Sequence, residues 1–306
     1  VKFHPLAVAV VATLLLGAAK LVVATLTGSR AVLASAADSL GDAVVSGVNL
    51  LMVRAAAEPP DEGHPWGHGK AEALASLTQA VLLAAVVAGV AGTAIASLWR
   101  GDATLPAAGP AMWGMALSMA GSFGISTYLA RAARQSGSLV VGADAAHYRM
   151  DLLTGGAVLL GLAVTALTGR AEADAVASLV VSLWMTREVW ALGKEAVDEL
   201  MDRPLPESEV HALEQVLREV GEPVIAWHDL RTRRAGPFRF VQVHIELPAT
   251  LSFPGAHAVS HRVEEALAAV LPNTDVIVHL DVEGEEQGRI PSSAGARSGE
   301  TRARET

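Results

Sequence analysis

The sequence predicts an α-helical membrane domain followed by a small soluble domain of mixed helices and strands. Three observations carry this. Charged residues make up 18% of a chain that is 51% hydrophobic, against roughly 25% charged in soluble proteins. The deficit is confined to residues 5 to about 192, which are rich in Ala, Leu, Val and Gly, whereas 198–306 have ordinary polarity. The apolar part breaks into six runs, each long enough to cross about 30 Å of hydrocarbon as a helix.

The first run extends from Pro5 to about Leu26. Its single charge, Lys20, lies near the far end, where a long side chain is expected to snorkel to the interface. The run is too long for a signal-peptide core, and another span follows at once. After the turn Thr27–Arg30, the second run covers about Val32–Ala56 and carries Asp38 and Asp42. The loop Glu58–Lys70 is polar and broken by Pro and Gly. Further runs cover about Ala73–Leu98, Met112–Ala130, Val140–Thr168 and Ala175–Leu192. The short polar segments between them are expected to be turns. With an even number of spans both ends share one side. Lys2, Arg54, Lys70, Arg131, Arg134, Arg187 and Lys194 flank one set of ends, and only Arg30, Arg100 and Arg170 the other. This bias places the termini and the 58–70 loop in the cytoplasm.

Beyond Met201 the pattern changes. Glu207–Val220 has helical periodicity, Val224–Arg231 and Phe238–Leu247 alternate as strands do, Ala256–Val270 is again helical and Asp275–Leu280 is a third strand. The order αββαβ suits a small open sheet with helices on one face. Residues 1–200 are thus expected to form the membrane domain and 201–284 the soluble one. Residues 285–306, nearly devoid of large apolar side chains, are expected to be a disordered tail.

The absence of cysteine excludes disulfides and thiolate metal sites, and a net charge of −9 gives no case for nucleic-acid binding. Ionisable groups inside spans are costly and are functional candidates by default. Asp38 and Asp42, four apart, share one helix face. His147 and Asp151 repeat the spacing in the fifth run. Packed together, the two faces offer three carboxylates and one imidazole, a natural tetrahedral set for a divalent ion. Asp144, one turn before His147, could support the ligands from behind but reads rather as a cap or water-facing group, and Asn49 as a residue of packing or hydration rather than a ligand. Asp61, His64 and His68 form a second cluster in the loop. His228, His244 and His279 fall on three candidate strands, with Asp281 beside the last and His257 opening the second soluble helix. His211 and His261 read as surface residues.

The runs Asp38-Ser-Leu-Gly-Asp42, His64-Pro-Trp-Gly-His68-Gly-Lys70-Ala-Glu72, His147-Tyr-Arg-Met-Asp151 and His228-Asp-Leu-Arg-Thr-Arg occur in order. Together they resemble the cation diffusion facilitator family, in particular its bacterial zinc and iron efflux branch. The resemblance covers about residues 5–283. It implies a homodimer in the inner (plasma) membrane, with six transmembrane helices and a ferredoxin-like (αββαβ) cytoplasmic domain. It also implies exchange of a divalent metal for protons, with no organic cofactor. It implies a transport site of Asp38, Asp42, His147 and Asp151, and a loop site of Asp61, His64 and His68. His228, His244, His257, His279 and Asp281 are implied as a paired metal site near the dimer interface, and Lys70 with Asp202 as a charge interlock. Many zinc-restricted relatives carry histidine in place of Asp38, so Cd²⁺, Fe²⁺ and Mn²⁺ stay open beside Zn²⁺.

The expected activity is metal export by alternating access, a secondary antiporter rather than an enzyme. The rival reading is a metal-gated channel or membrane metal sensor. An intramembrane hydrolase would need a general base beside an open ligand position, and no His-Glu-x-x-His run is present.

Overall fold

Six long helices make up the N-terminal unit of the computed structural model: α1 (Pro5–Thr27), α2 (Arg30–Ala56), α3 (Ala71–Arg100), α4 (Pro110–Ser136), α5 (Leu139–Thr168) and α6 (Glu172–Leu200). The structure describes residues 4–27, 30–100, 110–168, 172–284 and 297–300, with backbone alone at several of them, Asp38 and 297–300 included. The chain divides into two compact units between Val197 and Asp198.

Burial in the first unit is the reverse of a soluble protein's. Thr13, Lys20, Ser39, Ser46, Asn49, Gln79 and Asp144 are buried, while Leu15, Leu26, Val81, Leu183 and Trp190 are exposed. In water such an apolar exterior would cost about 25 cal/mol per Å²; against lipid it costs nothing, and polar groups turn inward to find partners. Among the described residues, α1, α2, α3 and α6 are long and apolar enough to cross a membrane. α4 carries serines and two arginines, and α5 carries Asp144, His147, Arg149 and Asp151. Close helix approach depends on small residues. A Cβ at Gly121 would lie 2.8 Å from Leu16, and one at Gly17 would lie 3.0 Å from Leu40.

Lys20 does not snorkel. It is 2% exposed, and its ammonium donates to Ser39 Oγ on α2 at 2.7 Å and to Ser118 Oγ on α4. With α2 and α4 both packed on α1, their hydroxyls meet the ammonium inside the bundle.

The second unit contains α7 (Glu207–Glu219), β1 (Ala226–Ala235), β2 (Phe238–Leu247), α8 (Phe253–Ala268), β3 (Thr274–Val282) and β4 (Arg297–Glu300). The sheet order is β3-β2-β1-β4. β1 and β2 form an antiparallel hairpin, and β2 and β3 run parallel with α8 as the crossover. Ser252 caps α8 by accepting from Gly255 N. Leu213 and Leu217 of α7, Val263 and Leu267 of α8, and Trp227, Val241, Val243 and Ile245 of the sheet form one core. Both helices therefore cover the same sheet face, an α+β layering consistent with a ferredoxin-like fold.

Strand β4 corrects the expectation of a wholly disordered tail. It pairs antiparallel with β1, Ala226 opposite Glu300 and Leu230 opposite Arg297. Edge pairing is made by backbone groups and needs no apolar alternation, so Arg297-Ser-Gly-Glu300 carries no strand signal.

Candidate metal centres

In the helical unit, α2 and α5 bring Asp42, His147 and Asp151 together, with one ligand atom of each within 4.8 Å of the others. His147 Nε2 lies 3.0 Å from Asp42 Oδ1 and 3.9 Å from Asp151 Oδ2. The i, i+4 spacing stacks His147 and Asp151 on one face of α5, and α2 supplies the opposing carboxylate. Asp38 sits one turn before Asp42 on α2; its side chain lies outside those described. All three clustered side chains are partly exposed, as a site that loads from water requires.

Behind this cluster lies a buried polar network that the sequence reading missed. Asp144 is fully buried, neither a cap nor water-facing, because α2 carries donors at its depth. Ser46 Oγ donates to Asp144 Oδ2 at 2.8 Å, and Asn49 Nδ2 donates to Oδ1 at 3.0 Å. Asn49 also donates to Gln79 Oε1 on α3 at 2.8 Å, and Gln79 Nε2 donates to the Ala143 carbonyl at 3.1 Å. Asn49 is thus a hydrogen-bonding node rather than a packing residue. Ser46 and Tyr148 hydroxyls lie 2.9 Å apart. Gln79, an amide in an apolar run, was the one signal available. Outside the network, Arg149 donates to Glu188 of α6 at 2.8 Å.

The loop before α3 forms the second cluster. His64 Nδ1 lies 3.5 Å from Asp61 Oδ1 and His68 Nε2 lies 3.3 Å from Oδ2. The left-handed conformation of Gly67 (φ 80°) turns the chain so that both rings, 4.5 Å apart, face one carboxylate. The His64 N–H donates to Asp61 Oδ1 and holds that carboxyl below its ordinary range. Among the described residues, His68 Nδ1 is buried without a hydrogen-bond partner. Lys70 closes this loop, immediately before α3.

The third cluster lies on the sheet face opposite the helices. Register places His228, His244 and His279 side by side across β1, β2 and β3. Asp281, 5% exposed, lies close to all three: its Oδ2 is 3.1 Å from His228 Nε2 and 3.0 Å from His244 Nδ1, and its Oδ1 is 3.3 Å from His279 Nε2. Glu246 stands 3.3 Å from His228 Nδ1, a neighbour not anticipated from sequence. A β-bulge after His228, with Asp229 at φ 50°, interrupts the pairing, which resumes at Arg231 opposite Gln242. A buried carboxylate ringed by three imidazoles is a donor set that fits a divalent cation of borderline softness. His257 is not part of this group within the chain: it stacks on Phe253 and meets His261 edge-on. His211 and His261 lie exposed beside glutamates. Asp202, at φ 58°, pairs with Arg233 at 3.3 Å.

Residues 6–201 match the family model for the cation efflux transmembrane domain, and residues 205–283 match that for the cytoplasmic domain of cation efflux proteins. The cation-efflux pump FieF of Klebsiella pneumoniae is 36% identical over 83% of this chain and 84% of its own length. That of Cronobacter sakazakii is 36% identical over 90% and 91%, and that of Serratia proteamaculans 36% over 92% of each. A solved structure of CzrB, described as a zinc transporter, is 33% identical. It covers 26% of this chain and 99% of that one, with a TM-score of 0.26, too low for the superposition to carry an argument.

Proposed function

Because the chain belongs to the cation diffusion facilitator family of metal efflux transporters, we propose that it exports Zn²⁺ in exchange for protons, by alternating access at the α2–α5 cluster. The observation that carries this is the meeting of Asp42, His147 and Asp151 inside a helical unit whose exterior suits lipid. The complete site takes Asp38 as fourth ligand. One imidazole among carboxylates favours a borderline ion such as Zn²⁺; Cd²⁺, Fe²⁺ and Mn²⁺ are the competing substrates.

All four ligands also bind protons, so ion and protons compete for one place. Facing the cytoplasm, the deprotonated site takes the ion. Once the bundle exposes the site outward, protons displace the ion and return inward with the carrier. Each elementary charge moved is worth roughly 2.3 kcal/mol per 100 mV. The reading includes six transmembrane helices, both termini in the cytoplasm and a homodimer, supported by the six long helices and the family's cytoplasmic domain. In the second unit, His228, His244, His279 and Asp281, with His257, hold regulatory metal that shifts the population toward the transporting dimer. Asp61, His64 and His68 form a cytoplasmic loop site.

Sealed vesicles of purified protein test the reading. Zn²⁺ uptake by the wild type should saturate and alkalinise the lumen as protons leave. Asp42→Ala and Asp151→Ala should each lower the rate at least 100-fold, the loss of roughly 2.7 kcal/mol or more, with the helix content unchanged. Unsaturable flux without a pH change would instead favour a channel, and full transport by either variant would falsify the assignment.

A further inference from the structure

Asp144 is a carboxyl with no role in the exchange described above, and its surroundings suit it to one. It is fully buried on α5, three residues before His147, and among the described residues no lysine, arginine or histidine forms an ion pair with it. An ionised carboxylate so placed has no directly paired counter-charge, and buried acids of this kind favour the protonated form. Its two oxygens are held differently. Oδ1 accepts from Asn49, an amide that can only donate there because its carbonyl partner Gln79 Oε1 takes its other N–H. Oδ2 faces the hydroxyl of Ser46, which faces the hydroxyl of Tyr148.

Hydroxyls donate and accept, so this chain has two polarities. With Asp144 ionised, Tyr148 donates to Ser46 and Ser46 to Oδ2. With Asp144 neutral, Oδ2–H donates to Ser46 and Ser46 to Tyr148. One proton is gained or lost, and Ser46 keeps both its bonds in either state. The charges bearing on Asp144 are His147 on its own helix and Asp42 on α2. α3 presents the neutral Gln79. α1 and α4 pack on this stretch of α5 through Leu6, Ala9, Ile125 and Leu129.

We propose that Asp144 is a proton seat of the transport cycle, distinct from the metal ligands and coupled to them through space. A divalent ion at Asp42, His147 and Asp151 sits about one helical turn away. Its field adds positive charge close to Asp144, so ion binding favours release of the Asp144 proton, and ion departure favours its return. By reciprocity, protonation of Asp144 weakens ion binding. The inference rests on the transport reading for its place in the cycle, but proton binding by Asp144 is measurable without transport.

Infrared difference spectra of the purified, metal-depleted protein, recorded on adding Zn²⁺, should show loss of a protonated-carboxyl band. In Asp144→Asn that band should be missing from the difference and fewer protons should be released per Zn²⁺ bound. Ser46→Ala, which spares the carboxyl and serves if the asparagine variant fails to fold, should shift the band. An Asp144→Asn spectrum and proton count matching the wild type, or a band unmoved by Ser46→Ala, would overturn the proposal. Failure of wild-type vesicles to take up Zn²⁺ would instead defeat the transport reading and leave the spectra standing.

Discussion

Lys20 shows how a single residue takes its meaning from neighbours. A lysine near the end of an apolar run is indistinguishable in sequence from one that reaches headgroups. Ser39 and Ser118 convert it into a bolt joining α1, α2 and α4. Inter-helix hydrogen bonds in membranes are worth about 0.6 kcal/mol on average, so Lys20→Ala should lower stability by about 1–2 kcal/mol once lost packing is added. A thermal-shift assay in detergent reads this as a lower melting temperature. Asp61 makes a second point at this scale. Its folded-state pKa is depressed by the His64 N–H, so what it contributes is present above about pH 3.9 and is lost only as pH falls through the lowered value. Asp61→Asn should therefore weaken metal binding by the loop at every pH from about 5 to 7.5, since the carboxyl is ionised throughout that range. Calorimetric Zn²⁺ titration of the wild type and the variant from pH 5 to 7.5 checks this.

At the scale of elements, the apolar runs located every one of α1–α6, because a span must satisfy its backbone internally and so leaves a long uninterrupted signal. The candidate ligands were legible for the same reason: Asp42, His147 and Asp151 are conspicuous in such surroundings. Ser46 and Tyr148 were not, since hydroxyl residues in spans commonly bond their own helix. In the second unit, α7 is pinned to the sheet by Arg239 of β2, which donates twice to Glu209 at 2.9 Å. Arg239 holds the Glu209 carboxyl below its usual range, so this stabilisation is complete above about pH 4.3 and is lost as pH falls through the lowered pKa. For a partly exposed pair about 1 kcal/mol is a fair discount. Glu209→Gln should therefore cut amide-exchange protection in α7 about fivefold at pH 7, with the effect shrinking as pH falls through the lowered Glu209 pKa.

Across the whole molecule, two units obey opposite rules. One hides serines, amides and a carboxylate behind leucines; the other hides Trp227 and valines behind charge. Sequence shows the division sharply, because composition changes where the solvent does. It did not show that β4 adds to the sheet, nor that His257 stands apart from the three strand histidines, since both depend on register and facing that apolar patterns leave open. The division predicts separable failure. Trp227→Ala should cost about 3–5 kcal/mol and unfold the second unit, which limited proteolysis would reveal as cleavage between 198 and 300 with the helical unit left whole.

The rung His228–His244–His279 has a consequence for biogenesis. Side chains alternate along a strand, so slipping β2 by one position would drive His244 in among the leucines and bring a valine or isoleucine out in its place. A metal ion bound by this rung would then be captured only by correctly paired chains. The bound ion would thereby favour the native register over the slipped one.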